Sequence, residues 1–193
     1  MSVAAASLGH RVTGLDLSDG MLALAREKAQ AAGLDVTFVQ GRADEPPAGP
    51  FDAVIERHVA WTLPDPVAAL AAWRSRARPG GRLVLFEGSW GGDGAVDRAR
   101  DAVLGAWRRV TGAQHDHHAP YPDEIVRAAP LADVGAPGPF IDAVREARWG
   151  ALRLVRLRDV EWAAAAHDPW WVARLGHRVR FAVVADAPAS DGG

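Results

Sequence analysis

The 193-residue sequence contains no cysteine. Disulfide bonds, thiolate catalysis and cysteine-ligated zinc are therefore excluded. Long apolar runs are also missing, since none reaches the ~18 residues that a membrane-spanning helix needs. The first residues lack the basic and apolar regions of a signal peptide. We therefore expect a cytoplasmic protein with no membrane partner.

Charge of one sign is not in excess, because the formal net charge is only −2. No basic field attracts a nucleic acid, so we expect no nucleic-acid partner. The length and the hydrophobic fraction of 49% are typical of one globular domain with a sizeable core. The sequence leaves the oligomeric state open.

What the sequence does contain is an alternation of short apolar strands and amphipathic helices. This alternation predicts an α/β protein whose parallel sheet is covered on both faces by helices. Two further strands follow late in the chain. The predicted strands cover 11–16, 36–39, 51–55, 82–86, 152–157 and 179–184, and the clearest helices cover 18–33 and 65–77.

Asp16 ends the first predicted strand, and Ser18 can cap the helix that follows at once. In an open α/β sheet, a carboxylate at this position can hold the two hydroxyls of a ribose. The alternative is a carboxylate that is favoured only by the helix dipole. A ribose-binding strand normally follows a first strand and a glycine-rich turn. Here residues 1–11 contain neither, so the sequence indicates a nucleotide-cofactor domain without its first strand.

At this point the sequence resembles a family, the class I S-adenosylmethionine-dependent methyltransferases, and in particular the small-molecule group of the methyltransferase 11 type. Four segments carry the resemblance, in the family's order and spacing: 12–21, 41–44, 51–66 and 78–90. The resemblance is good over residues 1–87 and rests on the organisation of the chain beyond them.

The resemblance implies a sheet with the strand order 3-2-1-4-5-7-6, in which strand 7 is antiparallel. We therefore expect a Rossmann-like methyltransferase sheet with the first strand missing, helices on both faces, a late antiparallel strand pair and a helical lid insertion. The chain would form one domain, with a cofactor-binding half at 1–87, a lid or substrate insertion at 88–150 and C-terminal strands at 151–186. The family's D-x-G-x-G-x-G loop is absent from this sequence.

The resemblance also implies S-adenosylmethionine as the cofactor and a small molecule as the methyl acceptor. Asp16 would accept the ribose hydroxyls, and Leu17 and Met21 would flank the adenine unless they are core residues. Ala43 and Asp44 lie where the family contacts the adenine edge. The family's aspartate position is occupied here by an arginine, so Asp44 either substitutes for that aspartate or belongs to a surface loop.

The acceptor side of the implied site follows the third strand. Arg57 would face the carboxylate of the cofactor, and His58 would be a catalytic residue facing the acceptor. The alternative for both is a hydrogen-bond network at a helix start. Trp61 and Trp90 would form an aromatic wall for the acceptor, although most tryptophans of the chain are expected in the core.

A second catalytic candidate, His117, lies in a polar cluster at 115–118 that contains three histidines and an aspartate. One histidine there could act as a general base, because its pKa lies near neutrality. The alternative is a solvated loop. We expect no metal site, since adjacent histidines rarely converge on one ion.

The missing strand has an energetic consequence. Without it, the strands at 12–16 and 51–55 either expose unpaired edges to each other or pair directly. Each buried unpaired backbone group costs ~1–3 kcal/mol. We therefore expect this chain to be poorly stable, or unable to hold the cofactor in the family's manner. Recovery of folded, monodisperse 193-residue protein would count against that expectation.

Two other functions compete with methyl transfer. One is a degenerate, non-catalytic methyltransferase-like domain that binds a partner or nothing. The other is a nicotinamide dehydrogenase, which shares the ribose carboxylate but needs a G-x-G-x-x-G turn before Val12. That turn is absent as well. The motifs after Asp16 and the late strand pair favour the methyltransferase.

Overall fold

The computed structural model describes residues 1–88, 95–111, 128–132, 136–166, 168–175 and 179–189. Its helices are α1 Ser2–Ser7, α2 Asp19–Ala31, α3 Pro66–Arg76, α4 Ala95–Thr111, α5 Gly138–Glu146, α6 Arg158–Ala165 and α7 Trp170–Leu175. A short 3-10 helix covers Ala60–Thr62. The strands are β1 Val12–Asp16, β2 Val36–Gln40, β3 Phe51–Arg57, β4 Ala77–Gly88, β5 Gly150–Arg156 and β6 Arg180–Asp186.

These strands form two sheets, with the orders β1-β2 and β3-β4-β6-β5. The β1-β2 and β3-β4 pairs are parallel, whereas β6 is antiparallel to both β4 and β5. The late antiparallel pair is thereby confirmed. Within the described ranges, β1 and β3 each pair with one strand only and do not pair with each other. Unpaired edges and direct pairing were the two outcomes expected for these strands. The structure has the unpaired edges.

A glycine in β1 allows the first sheet to pack close to α1. In β1, Gly14 lies opposite Phe38, and a Cβ atom at this position would be 2.9 Å from Cδ1 of Phe38 and 2.8 Å from Oγ of Ser2. Any larger residue would push α1 or β2 away. The same register places Asp16 opposite Gln40 at the carboxyl end of both strands.

The main hydrophobic core lies between the four-stranded sheet and the helices α3 and α5. Its fully buried side chains include Leu83, Leu85, Val144 and Val183, each 0% exposed. The buried hydrophobic residues of the α1–β1–α2–β2 unit are few, namely Ala6, Leu22 and Ala29. This unit therefore has little core of its own and depends on its attachment to the rest of the domain.

Trp73 on α3 makes that attachment. Its side chain is buried in the main core, and Nε1 donates a hydrogen bond of 2.6 Å to the carbonyl oxygen of Ala43 in the loop after β2. Ala43 itself packs against the same core. This loop thus joins the small first sheet to the larger second one.

Several local predictions are corrected by the structure. The strand predicted at 82–86 begins earlier, at Ala77, because Ala77 already pairs with Phe51. Helix α6 was not predicted. Met21, for which the core was the alternative, is 56% exposed, because the buried residues of α2 are Leu22 and Ala29. Trp162 and Trp170 lie outside the core, at 75% and 79% exposure.

The lid insertion predicted at 88–150 is described in part. Its last helix, α5, packs through Phe140, Ala143 and Val144 into the main core. Within the described ranges, no helix combines the length and the apolar character that crossing a bilayer requires. The division of the domain at residues 87 and 150 stays a prediction.

Candidate cofactor and acceptor site

Asp16 lies at the carboxyl end of β1 with its side chain at the surface. Its Oδ1 accepts a hydrogen bond of 2.8 Å from the backbone N–H of Ser18, and Ser18 in turn caps α2 by accepting from Met21 at 3.3 Å. The N–H of Gly41 donates to the carbonyl oxygen of Asp16 at 3.1 Å. The strand end, the helix start and the loop after β2 therefore meet at Asp16, and its role toward a ribose stays a prediction.

Two large apolar side chains lie exposed next to Asp16. Leu17 is 69% exposed, and Met21, in the first turn of α2, is 56% exposed. Packing does not account for either residue, so the core alternative for them is not supported. Their contact with an adenine ring stays a prediction.

In the loop that follows β2, the two neighbours of Ala43 are hydrogen-bonded to each other. Arg42 forms a fork with Asp44, with Nε 2.9 Å from Oδ1 and Nη2 2.6 Å from Oδ2. This hydrogen-bonded guanidinium holds the pKa of Asp44 below its usual range. Arg42, which occupies the family's aspartate position, therefore binds the carboxylate of Asp44. The role of Ala43 and Asp44 at the adenine edge stays a prediction.

The second part of the site follows β3. Glu56 is buried, and its Oε2 accepts hydrogen bonds from the backbone N–H groups of Val59 at 2.8 Å and Ala60 at 3.2 Å. The carboxyl group thus caps the short 3-10 helix that carries Trp61. A hydrogen-bond network at a helix start was the alternative expected for Arg57 and His58. The structure has such a network here, and Glu56 makes it.

His58 lies in the turn between β3 and this helix. Its φ of +58° is in the left-handed region, which costs a non-glycine residue about 1–2 kcal/mol. The backbone N–H of His58 donates to the carbonyl oxygen of Phe86 at 3.1 Å, which continues the β3-β4 ladder by one residue. The imidazole is thereby set beside the end of β4. Such strained residues often cluster at functional sites.

Glu87, at the end of β4, was missed from the sequence. The residue is 1% exposed, and its Oε2 is 3.3 Å from Nδ1 of His58. The available signal was a glutamate at the end of the apolar strand 82–86, next to another strand end with polar residues. On β6, Arg180 pairs with Gly88 and brings a positive charge to the same end of the sheet.

Burial sets the protonation of this group. It raises the pKa of Glu56 to about 8, with a further contribution from the Glu87 charge. Burial also raises the pKa of Glu87 to about 7, against the opposing effects of nearby backbone N–H groups and Arg180. The pKa of His58 falls to about 4 because of burial and the charges of Arg180 and Arg57. Near neutral pH, a neutral imidazole therefore lies beside a carboxyl group that can be ionised or protonated. The lone pair of such an imidazole can accept a proton, and the lowered pKa makes the ring a weaker base than an ordinary histidine.

The other predicted residues divide into two groups. Arg57 is exposed at the end of β3, and Trp61 is partly buried against the main core. Arg57 lies near enough to His58 for its charge to lower the pKa of the imidazole, and Trp61 lies in the 3-10 helix that follows. Trp90 and His117 lie outside the described residues. In the described part of the chain, no group of three or more histidine, aspartate or glutamate side chains could hold a metal ion.

Comparison with known proteins shows what this chain is similar to. Residues 1–85 match the family described as "Methyltransferase domain". The chain is 41% identical over 81 residues to a demethylmenaquinone methyltransferase of Thermus thermophilus, an alignment that covers 41% of this chain and 37% of that protein. It is 36% identical over 89 residues to a ubiquinone biosynthesis O-methyltransferase of Xanthomonas axonopodis pv. citri, covering 44% of this chain and 37% of that protein. The chain thus spans less than two fifths of the length of these relatives.

The similarity of the fold extends over nearly the whole chain. A crystal structure described as a SAM-dependent methyltransferase from Methanosarcina mazei superposes with a TM-score of 0.61 at 18% identity, covering 98% of this chain and 88% of that one. The strand order β2-β1, then β3-β4-β6-β5, is the order expected for that fold with its first strand left out. Residues 1–85 are therefore similar to the methyltransferase domain family, and the chain has the fold of a class I S-adenosylmethionine-dependent methyltransferase.

Proposed function

We propose that the protein containing this chain transfers a methyl group from S-adenosylmethionine to a small molecule, and that it does so in the cytoplasm. One observation carries the proposal. The exposed Asp16 carboxylate lies at a strand end between the exposed Leu17 and Met21 and the loop that starts at Gly41. This is a surface that suits a ribose with an attached flat base.

The residues present fit the nucleoside part of the cofactor. Asp16 uses Oδ1 for the backbone of Ser18, and in the described residues its Oδ2 has no hydrogen-bond partner, so it can accept from ribose hydroxyls. Leu17 and Met21 offer apolar surface to the adenine, with Ala43 and Asp44 at its edge. Arg57, with its positive charge, suits the carboxylate of the cofactor. The sequence contains no glycine-rich loop for the methionine part.

S-adenosylmethionine supplies a methyl group that its sulfonium already activates, so the protein has to align, to exclude water and to accept a proton. We assign the proton-accepting role to His58, with Trp61 and Trp90 as contacts of the acceptor and His117 as a second candidate base. The relatives support a small acceptor, since the two named above are methyltransferases of demethylmenaquinone and of ubiquinone biosynthesis.

The second candidate is a degenerate domain that does not catalyse methyl transfer. The observation that favours it is the gap in the sheet: β1 and β3 end in separate sheets, and the described residues provide no strand between them. A fold by itself does not establish an activity.

Calorimetric titration separates the two candidates. We expect S-adenosylmethionine to bind the folded chain, and adenosine to bind within about threefold of it, because only the nucleoside part has partners here. The variant Asp16→Ala should lose at least about tenfold in affinity for both, since a hydrogen bond to a charged group contributes about 1.5–3 kcal/mol.

Asp19→Asn is the matched control for that titration. Asp19 is an exposed carboxylate three residues further on, and it lies 3.8 Å from Arg26. This variant should bind both ligands as the wild type does. A folded wild-type chain that binds neither ligand would favour the degenerate domain. Unchanged binding by Asp16→Ala would overturn the assigned ribose site.

A further inference from the structure

The register of the β3-β4 strand pair brings His58 and Glu87 into contact. The parallel β3-β4 ladder pairs Arg57 with Phe86, so the next residues, His58 and Glu87, lie side by side. The hydrogen bond from the His58 N–H to the Phe86 carbonyl, 3.1 Å long, fixes the backbone at this step. The 3.3 Å approach of Glu87 Oε2 to Nδ1 then follows from the register.

Packing does not explain a glutamate at position 87. Along β4 it continues the row of Leu83 and Leu85, which are both 0% exposed, and its own side chain is also 0% exposed. A carboxyl group in such a place loses its hydration, whereas an apolar residue would gain free energy from burial. In the described residues its Oε1 has no hydrogen-bond partner. The carboxyl group is hydrogen-bonded by the backbone N–H groups of Trp61 and Ala60, and its Oε2 contacts His58. Glu87 therefore links the start of the 3-10 helix to the imidazole.

The contact determines which ring nitrogen can react. A carboxylate at Nδ1 accepts the proton of that nitrogen and leaves a lone pair on Nε2, at the other side of the ring. A protonated carboxyl group instead donates to Nδ1, and the ring proton then lies on Nε2. The His58 side chain is 28% exposed, so the ring is not sealed from a ligand.

Resting on the function proposed above, we propose that Glu87 is the positioning residue for His58, that the two form an acid–base dyad, and that the methyl acceptor is a weakly acidic hydroxyl compound such as a phenol or enol. Such an acceptor needs a base, whereas a neutral amine does not. In the step assigned to the dyad, the O–H bond of the acceptor breaks, its proton binds Nε2 of His58, and the electron pair stays on the oxygen. Nδ1 keeps its own proton and donates it in a hydrogen bond to the Glu87 carboxylate, whose negative charge stabilises the imidazolium. The proton later leaves Nε2 to solvent.

The other charged groups around His58 act on its charge rather than on its orientation. Arg57 on β3 and Arg180 on β6 both disfavour the imidazolium and keep the resting ring neutral. Glu56 on β3 uses its Oε2 on the backbone of Val59 and Ala60. Because the pKa of Glu87 lies at about 7, the lone pair should move to Nε2 as the pH rises through neutrality.

Nitrogen-15 nuclear magnetic resonance of the ring tests the dyad without cofactor or acceptor. The His58 signals are identified by their loss in His58→Gln. In the wild type we expect the Nε2–H tautomer about one unit below neutral pH and the Nδ1–H tautomer about one unit above it. Glu87→Gln should abolish this change. In Glu56→Gln, a matched buried carboxyl-to-amide control, the change should remain.

The result that overturns the proposal is a wild-type ring whose tautomer does not respond to pH, or a response that persists in Glu87→Gln. The wild-type titration decides the question even if Glu87→Gln does not fold. Failure of the proposed function would show separately, as absent S-adenosylmethionine binding with an intact tautomer change. In a preparation that methylates a phenol, Glu87→Gln should lower kcat about 10- to 100-fold with KM for the phenol within about threefold. A primarily structural role would not produce that split.

Discussion

Replacing Trp73 with alanine is expected to lower the free energy of unfolding by about 3–5 kcal/mol, as large-to-small changes of buried aromatic residues do. Trp73 is 4% exposed in the main core, so the change leaves a cavity beneath the sheet. It also removes the hydrogen bond to Ala43, a contact between α3 and the loop that follows the first sheet. Since a whole domain is stable by only about 5–15 kcal/mol, the variant should be largely unfolded or close to it. Urea unfolding followed by circular dichroism measures the loss.

A milder pair of variants separates the cavity from the attachment. Trp73→Phe keeps a buried ring but removes the N–H that bonds the Ala43 carbonyl. Trp149→Phe is its matched control, because Trp149 is also 4% exposed and its Nε1 donates to the carbonyl oxygen of Leu70 at 2.9 Å, away from the loop after β2. Each should cost about 1–2 kcal/mol. Only Trp73→Phe should speed hydrogen exchange at the amides of Gly41 and Glu45. Equal exchange at these amides in both variants would contradict the assigned role of Trp73.

Raising the pH from about 6.5 to about 8 is expected to lower the free energy of unfolding by about 2 kcal/mol. Glu56 and Glu87 have folded-state pKa values of about 8 and 7, against an ordinary value of 4.5. Between the ordinary and the folded values, the folded state binds protons that the unfolded state has lost, so stability decreases as the pH rises. The cause is burial, since ionised carboxylates are costly in an apolar environment.

His58 acts in the opposite direction and at lower pH. Its pKa falls from 6.5 to about 4 on folding, so the unfolded state binds the extra proton in that window and stability increases as the pH rises through it. Above the upper end of this window, Glu56 and Glu87 set the slope among the groups of the described residues. Urea unfolding at a series of pH values measures it.

Two variants check the origin of the pH effect. Glu56→Gln replaces the group with the higher pKa by an uncharged side chain and should remove more than half of the decrease. Asp142→Asn, at an exposed position on α5, should leave it unchanged. A wild-type protein whose stability is constant or rises between about pH 6.5 and about pH 8 would show that the carboxyls ionise without penalty.

Sequence reasoning predicted the parts of this protein that local patterns encode. The alternation of apolar strands and capped helices places β1, β2, β3 and the start of α3 within a few residues of their observed bounds. The same patterns put Asp16 and the Arg57-His58 pair at strand ends, where parallel sheets collect polar ligands. These features depend on periodicity and on caps, which act over a few neighbouring residues.

The resemblance to a family added the strand order, including the antiparallel β6 between β4 and β5. It also predicted that β1 and β3 lack a strand between them. Whether β1 and β3 keep separate edges or pair directly depends on how the rest of each sheet packs. The structure has two sheets joined through Trp73 and Ala43, a contact between residues 30 positions apart.

The sequence by itself determined the elements, the strand-end carboxylate of Asp16 and the candidate base His58. Only the tertiary structure decided that Glu87, 29 residues further on, lies beside His58, that Glu56 caps the turn and that Arg180 adds its charge. The reason is physical. Helix caps and strand periodicity are properties of adjacent residues, whereas a pKa or a tautomer depends on which distant groups the register of a sheet buries together.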